Sequence, residues 1–326
     1  MLRRTCTPGC AGRPLSTSLS RITHPAAGCA GRALSTSLSR ITYPAAPPLG
    51  KHSGRLMDAS IWPKIAPIWP SSMHFPHDVS TLHEEDEVHD LPVGDARALA
   101  PQLDTHGFEL IHAPTGALDF DDERQVGDAY MEQTRALVEA ATGAALVVPF
   151  HHVQIDTRRD KFGKRGGAVE RVHGDYTQSS GPRMLQELVG RGVVPARTRG
   201  MRGAILNVWR SVDAHAPVLD KPLALLDVRS VDASRLGVYY LVEGGDGLAE
   251  RRMGQNLALP YDPSHAWYYF PKMVRDEALV FFTYDGRTPD EPRFTFHCAF
   301  DPPQWTEDAP ARRAVIVRVA AFFEAP

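Results

Sequence analysis

His173-Gly174-Asp175 sets an imidazole and a carboxylate two residues apart, and Phe296-His297-Cys298 supplies a second imidazole 124 positions downstream. Two imidazoles and one carboxylate occupy one face of a ferrous ion and leave the other open to a co-substrate and dioxygen. On an extended strand residues i and i+2 point to one side. His173 and Asp175 can therefore reach one metal while Gly174 faces away. Three-residue coincidences are common in a chain with fourteen histidines, so the pair gains meaning from what positions it. His151 and His152 are rival ligands, but adjacent strand residues diverge and at most one could face the site. Cys298 directly follows His297 and points the opposite way on a strand, which suits a packed, inert thiol.

The elements around these residues are mostly short strands. Candidates run over 203–211, 223–230, 235–243, 255–260, 265–270, 278–284, 294–300 and 314–323. They are separated by Asp220-Lys221-Pro222, Gly244-Gly245-Asp246-Gly247, Asp262-Pro263, Asp285-Gly286 and Asp301-Pro302-Pro303. Only 181–190 interrupts the series as a helix. Such a series indicates a sandwich or jelly roll. A jelly roll sets its first and last strands side by side, which would carry His173 and Asp175 to His297. Residues 95–160 read as an α+β entry. Gly107–His112 is a strand, and a helix starts at Asp119, Asp121 and Asp122, where carboxylates suit the free amides. That helix stops at Gly143, and 145–155 is the next strand. The fold class is thus α+β, mainly β, with N-terminal helices flanking a jelly-roll core.

Composition and charge narrow the partners. Residues 1–57 hold eight Lys/Arg and no Asp or Glu, whereas 58–326 hold 28 basic and 39 acidic residues, a balance of −11. An acidic body disfavours nucleic acid as a partner. No apolar run approaches the ~18 residues of a membrane span. Cys6, Cys10 and Cys29 lie in the N-terminal segment, and Cys298 alone cannot form a disulfide within the body, which reads as intracellular.

Residues 10–27 recur as 29–46 with only two of 18 positions changed. These units have little to bury between neighbours, so residues 1–57 read as a disordered, duplicated basic extension rather than a solenoid. Its composition is that of an organelle transit peptide; the rival reading is translation starting at Met57, which leaves a cytoplasmic protein. Residues 58–94 form a Pro-rich and acidic lead-in, with 77–90 a solvated loop. Residues 95–326 read as one jelly-roll domain.

An iron of this type needs a bidentate oxidant, usually an α-keto acid whose far carboxylate is held by a cation. Arg pairs with carboxylates in a two-pronged fork and stays charged when buried. Arg312 and Arg318 share one strand parity in Arg312-Arg313-Ala314-Val315-Ile316-Val317-Arg318, so both can face the cavity. For Arg318 a structural ion pair is the rival role. Arg313 points outward to solvent. Asn207 and Trp209 alternate onto one strand face and could line the co-substrate pocket, although Trp is more often a core residue. Arg210 faces the opposite way. Tyr176 and Tyr284 suit either the substrate border or plain packing.

Taken in order, several landmarks form a pattern. They are Thr105–Leu110, Val172–Thr177, Asn207-Val208-Trp209-Arg210, Pro222–Ser230, Trp267–Met273, Asp276-Glu277-Ala278, Tyr284-Asp285 and Phe296–Phe300. In this the chain resembles the Fe(II)/2-oxoglutarate-dependent hydroxylase/desaturases of the CmcJ/AsaB-like group, over most of 105–323. The resemblance implies a double-stranded β-helix and Fe(II) on His173, Asp175 and His297. It also implies 2-oxoglutarate and dioxygen as co-substrates, with 2-oxoglutarate on a late arginine. That arginine often opens the final strand as Arg-x-Ser, which maps onto Arg312-Arg313-Ala314, with Ala314 in place of the serine. A carboxylate at Asp175 disfavours halogenation, which needs that position vacant for halide. The implied activity is hydroxylation or desaturation of a small molecule in specialised metabolism, with no acid–base side chain required. Two other classes use the same triad. One is a non-catalytic jelly-roll binding protein. The other is a zinc-dependent hydrolase, for which Asp285 or Glu277 is the candidate base.

Overall fold

Side chains alternate across a strand, so the sequence of the longest β run already sorts its two faces. In a computed structural model, residues 36–43, 87–157, 168–243, 251–287, 294–303, 305–306 and 308–324 are described. Among them the strands are β1 (Thr36–Tyr43), β2 (Glu87–Asp95), β3 (Phe108–His112), β4 (Leu146–Asp156), β5 (Arg202–Ser211) and β6 (Leu223–Leu226). β7 (Gly237–Glu243), β8 (Arg251–Ala258), β9 (Trp267–Tyr269), β10 (Glu277–Asp285), β11 (His297–Ala299) and β12 (Arg313–Phe323) follow. The fold is mainly β, with few helices. One sheet has the order β3-β10-β5-β12-β4 and is antiparallel throughout; the other has the order β1-β2-β9-β6-β11. β7 and β8 form a separate antiparallel pair.

Along β12, Val315, Val317, Val319 and Ala321 belong to one apolar cluster with Val126, Tyr130, Leu137 and Val138. Those four come from a π-helical turn (Val126–Tyr130) and the helix that continues it as Met131–Thr142. The alternate residues Ala314 and Ile316 join Trp209, Leu225 and Phe281, and Ala320 and Phe322 join Leu226, Tyr176 and Tyr284. The helix thus covers one face of the first sheet, and the second sheet covers the other. Each buried Val or Leu contributes roughly 1.5–3 kcal/mol. The site lies between the sheets, on the face opposite the helix.

The helix expected from Asp119 to Thr142 starts as a short turn at Glu123, with Asp122 as N-cap accepting from the Arg124 amide. It ends where Gly143 takes the left-handed conformation, φ 67°. The π turn inside it carries no mark in the apolar periodicity. The helix read at 181–190 spans Ser180–Gly190. Of the strand expected over 223–230, only Leu223–Leu226 is extended. Asp227 then accepts from the Arg229 amide and turns Val228–Ser230 into a 3₁₀ helix.

Two boundaries need correction. Residues 36–43, placed in a disordered extension, form edge strand β1, paired with β2 from Thr36↔Gly94 to Tyr43↔Glu87. Ser39, Ile41 and Tyr43 are buried on one face of the strand, Thr42 is buried on the other, and Arg40 is exposed. The Tyr43 hydroxyl accepts from Trp267 Nε1 at 2.7 Å and meets His265 Nδ1 at 3.0 Å. Residues 87–94, read as the end of the Pro-rich and acidic lead-in, form with Asp95 the strand β2, which pairs in parallel with β9. The first copy of the repeat and the Pro-rich stretch 62–76 lie outside the described residues. Among the described residues no helix is long and apolar enough to cross a membrane.

Candidate metal centre

His173 and His297 meet as a reciprocal antiparallel bridge. The His173 amide donates to the His297 carbonyl at 3.2 Å, and the His297 amide returns the bond at 3.1 Å. Gly174 bridges Leu257 of β8 in the same way. The His-x-Asp segment is held by these isolated bridges rather than by the continuous strand its alternation suggested. Its side chains converge nonetheless: one ligand atom each from His173, Asp175 and His297 lies within 4.8 Å of the others.

The imidazoles are fixed from behind. His173 Nδ1 lies 2.8 Å from the carbonyl of Arg171, and His297 Nδ1 lies 3.1 Å from that of Thr295. A carbonyl only accepts, so each Nδ1 carries the proton and each Nε2 presents its lone pair to the cavity. These two atoms stand 3.6 and 4.0 Å from Asp175 Oδ1. The other carboxylate oxygen, Oδ2, accepts from Asn207 Nδ2 at 2.7 Å. Burial raises the Asp175 carboxyl, but His297, Arg318, His173 and the Asn207 bond together bring it down to about 2. Burial, aided by His173, pushes His297 down to about 4, so its ring is neutral at pH 7. A deprotonated carboxylate and two lone pairs aimed at one point are what a divalent metal needs. His173 and Asp175 side chains keep about a tenth of their surface accessible, at 11% and 10%.

The remaining expected site residues fall on the same inner face. Asn207 of β5 lies opposite Arg318 of β12, and its turn toward Asp175 gives it a role in orienting the carboxylate that strand parity alone did not reveal. Trp209 is buried two residues along, its Nε1 without a partner among the described residues. The Arg312 guanidinium sits 5.7 Å above the Trp209 ring and donates to the Lys221 carbonyl, while its buried Nε has no partner among the described residues. Burial brings Arg312 down to about 10, against the opposing pull of Asp220 and Glu170, and it stays cationic at pH 7. Arg318 is nearer the triad: it lies opposite Asn207, the donor to Asp175, and its charge helps to hold the Asp175 carboxyl down. Burial raises the Tyr176 hydroxyl to about 12.

Other residues separate from the site. Arg210 points to the helical side and donates to the carbonyls of Ala113 and Arg275. Arg313 pairs with Asp121 at the surface. His152 turns to Glu123, whereas His151 faces Arg318 and lies outside the ligand set. Cys298 is buried, and burial raises its thiol pKa. Glu277 is held by the two terminal nitrogens of Arg97, at 2.7 and 2.8 Å, and Asp285 pairs with Arg202 and Arg287. Between the helix Ser180–Gly190 and the start of β5 lies a cavity of about 570 Å³, lined by Leu185, Val189, Met201, Gly203, Tyr284 and Phe322.

Comparison with known proteins agrees with the resemblance to hydroxylase/desaturases. The family model described as an oxidoreductase/YMDC permease-like domain matches residues 68–322. The chain is 30% identical to the hydroxylase/desaturase efuI of Hormonema carpetanum over 242 residues, covering 68% of this chain and 79% of that protein. It is 29% identical to the Fe(II)/2-oxoglutarate-dependent dioxygenase nvfI of Aspergillus novofumigatus, covering 68% and 77%. A solved structure of the iron and alpha-ketoglutarate-dependent endoperoxidase NvfI superimposes with a TM-score of 0.68 at 24% identity, covering 89% of this chain and 99% of the other.

Proposed function

This chain belongs to the family of oxidoreductase/YMDC permease-like domains, and on that premise we propose an Fe(II)/2-oxoglutarate-dependent dioxygenase that hydroxylates or desaturates a small molecule of specialised metabolism. The observation that carries the reading is the orientation of the donors. Both histidines spend Nδ1 on a backbone carbonyl and keep Nε2 free beside a carboxylate held by Asn207. His173, Asp175 and His297 would hold the iron, which supplies the oxidation of a C–H bond at the expense of 2-oxoglutarate and dioxygen.

The protein's own part is to bind, orient and exclude water. Arg312, cationic and seated over Trp209 with an unused buried N–H, suits the far carboxylate of 2-oxoglutarate. Asn207 and Trp209 form the wall between that end and the triad. Arg318 places its positive charge beside the metal ligands. The cavity at the start of β5 is lined by Gly203, on the strand face of Asn207, and by none of the triad; it offers a small molecule room further along that face. The two sheets serve as a double-stranded β-helix, with the helices between β2 and β4 as its flank. The chain from β2 onward, together with β1, acts as one domain.

Rival readings lose their supports. A zinc hydrolase needs a carboxylate free to take a proton, and Glu277 and Asp285 are both engaged by arginines. A silent binding protein would suit a sealed triad, whereas His173 and Asp175 are partly accessible. The test is anaerobic titration of the full chain with Fe(II) and 2-oxoglutarate, watching the visible metal-to-ligand charge-transfer band. The band is expected in wild type and absent in His173→Ala and His297→Ala. Tight iron binding without a band would overturn the 2-oxoglutarate reading, and no iron binding would overturn the metal site.

A further inference from the structure

Three side chains lie in a row across neighbouring strands: His151 of β4 opposite Arg318 of β12, and Arg318 opposite Asn207 of β5. Asn207 ends the row by donating to Asp175. The β4–β12 ladder is irregular at this level. His151 pairs with Arg318 but the next pair is Pro149 with Val319, so Phe150 is an extra residue. A bulge of this kind re-aims a neighbouring side chain and is common beside active sites. His151 is buried, and its Nδ1 lies 3.4 Å from Arg318 Nη1. Burial, with Arg318 and His152 adding to it, pushes the His151 ring down to about 3, so it is neutral and can accept from a guanidinium.

Arg318 needs such a partner. Its charge bears on Asp175, His297 and Tyr176, and its Nε is buried with no hydrogen bond among the described residues. A long cationic side chain free to turn in this cavity would seek the carboxylate of Asp175, the group that the metal requires. Among the described residues no ion pair joins them within 4.0 Å; Asp175 keeps only His173, His297 and Asn207 as close side-chain partners. We propose that His151 is a positioning residue: its Nδ1 tethers the Arg318 guanidinium away from Asp175 and turns its spare N–H toward the anionic oxygens of the co-substrate. The tether rests on the oxygenase reading above and assigns His151 a part that neither metal ligation nor core packing gives it.

The tether is tested by the charge-transfer titration on the full chain, together with Fe(II) affinity measured by chelator competition. His151→Leu removes the acceptor and is expected to weaken 2-oxoglutarate binding about tenfold, the range for one charge-assisted hydrogen bond. Fe(II) affinity falls with it as Arg318 competes for Asp175. His151→Asn, which restores an acceptor, recovers most of the loss. In an Arg318→Gln background His151→Leu adds nothing, because the group it controls is gone. His151→Phe, which keeps a ring without the acceptor, carries the test if the leucine variant does not fold. Unchanged affinities in His151→Leu, or losses that simply add in the double variant, would overturn the tether while the wild-type band upholds the oxygenase. A wild type without a band overturns both.

Discussion

Asn207 shows how much a metal site depends on a residue that is not a ligand. Its amide fixes one oxygen of Asp175 at 2.7 Å, which leaves the other directed at the two Nε2 atoms. Asn207→Leu keeps the volume and leaves that oxygen without its donor. Metal affinity, measured by chelator competition, is expected to fall by about 10–100-fold, the usual effect of losing such support. An unchanged affinity would show that Asp175 orients itself. Acid should also find this site. Burial, with nearby positive groups, keeps His297 neutral down to about 4 and His151 down to about 3, while both take a proton near 6.5 when unfolded. Between those values the unfolded chain holds more protons, so stability falls as pH falls. The contribution is complete above about 6.5 and lost progressively toward 4 and below. In metal-free protein, urea midpoints should drop steadily from pH 7 to pH 4, and less steeply in His151→Leu. A flat profile would mean that neither ring is held neutral. The ligand triad was legible in residue type and spacing. The His151 partnership was not, because it depends on a bulge that one strand's sequence does not display.

At the scale of elements, β5, β10 and β12 were plain in the sequence. Each is a long run of β-branched and aromatic residues bounded by turn signals. β1 was hidden because the sequence read most strongly as a repeat. β11, with three residues, was legible only through the histidine it carries. The helix Ser180–Gly190 raises a sharper question of fit. A Cβ added at Gly181 would stand 2.5 Å from Cγ of Tyr284, close to that ring's own backbone, where it cannot easily swing aside. Gly181→Ala must therefore displace the helix or the ring, both of which line the 570 Å³ cavity. Overpacking of this kind costs about 1–3 kcal/mol. The urea midpoint is expected to fall accordingly, and fluorescence from a cavity-binding apolar dye to change with it. A neutral substitution would show that the helix rides loosely on the sheet.

For the molecule as a whole, the duplication and the fold meet at one strand. Residues 17–24, Thr-Ser-Leu-Ser-Arg-Ile-Thr-His, match β1 at seven of eight positions, with His24 where β1 has Tyr43. Both copies are followed by Pro-Ala-Ala. Deleting residues 28–46 removes the second copy and leaves the first one joined to Pro47, so the eight residues before that junction's Pro-Ala-Ala still read as a β1 sequence. The one change at a buried position of the strand is then tyrosine to histidine. Tyr43 is fully buried and its hydroxyl serves both Trp267 and His265, so losing it leaves Trp267 Nε1 short of its acceptor. The deletion should thus cost no more than Tyr43→His, about 1–3 kcal/mol. A chain beginning at Met57 lacks both copies. It forgoes the burial of Ile41 and Tyr43, roughly 1.5–3 kcal/mol each, and exposes the edge of β2 to pairing with other chains. Its melting temperature should fall by roughly 5–10 °C relative to the full chain, with concentration-dependent aggregation. The 19-residue deletion should track the point substitution instead. If the deletion melts like the Met57 form, the first copy does not take the β1 place. If the Met57 form melts like the full chain, β1 contributes nothing to the stability of the sheet.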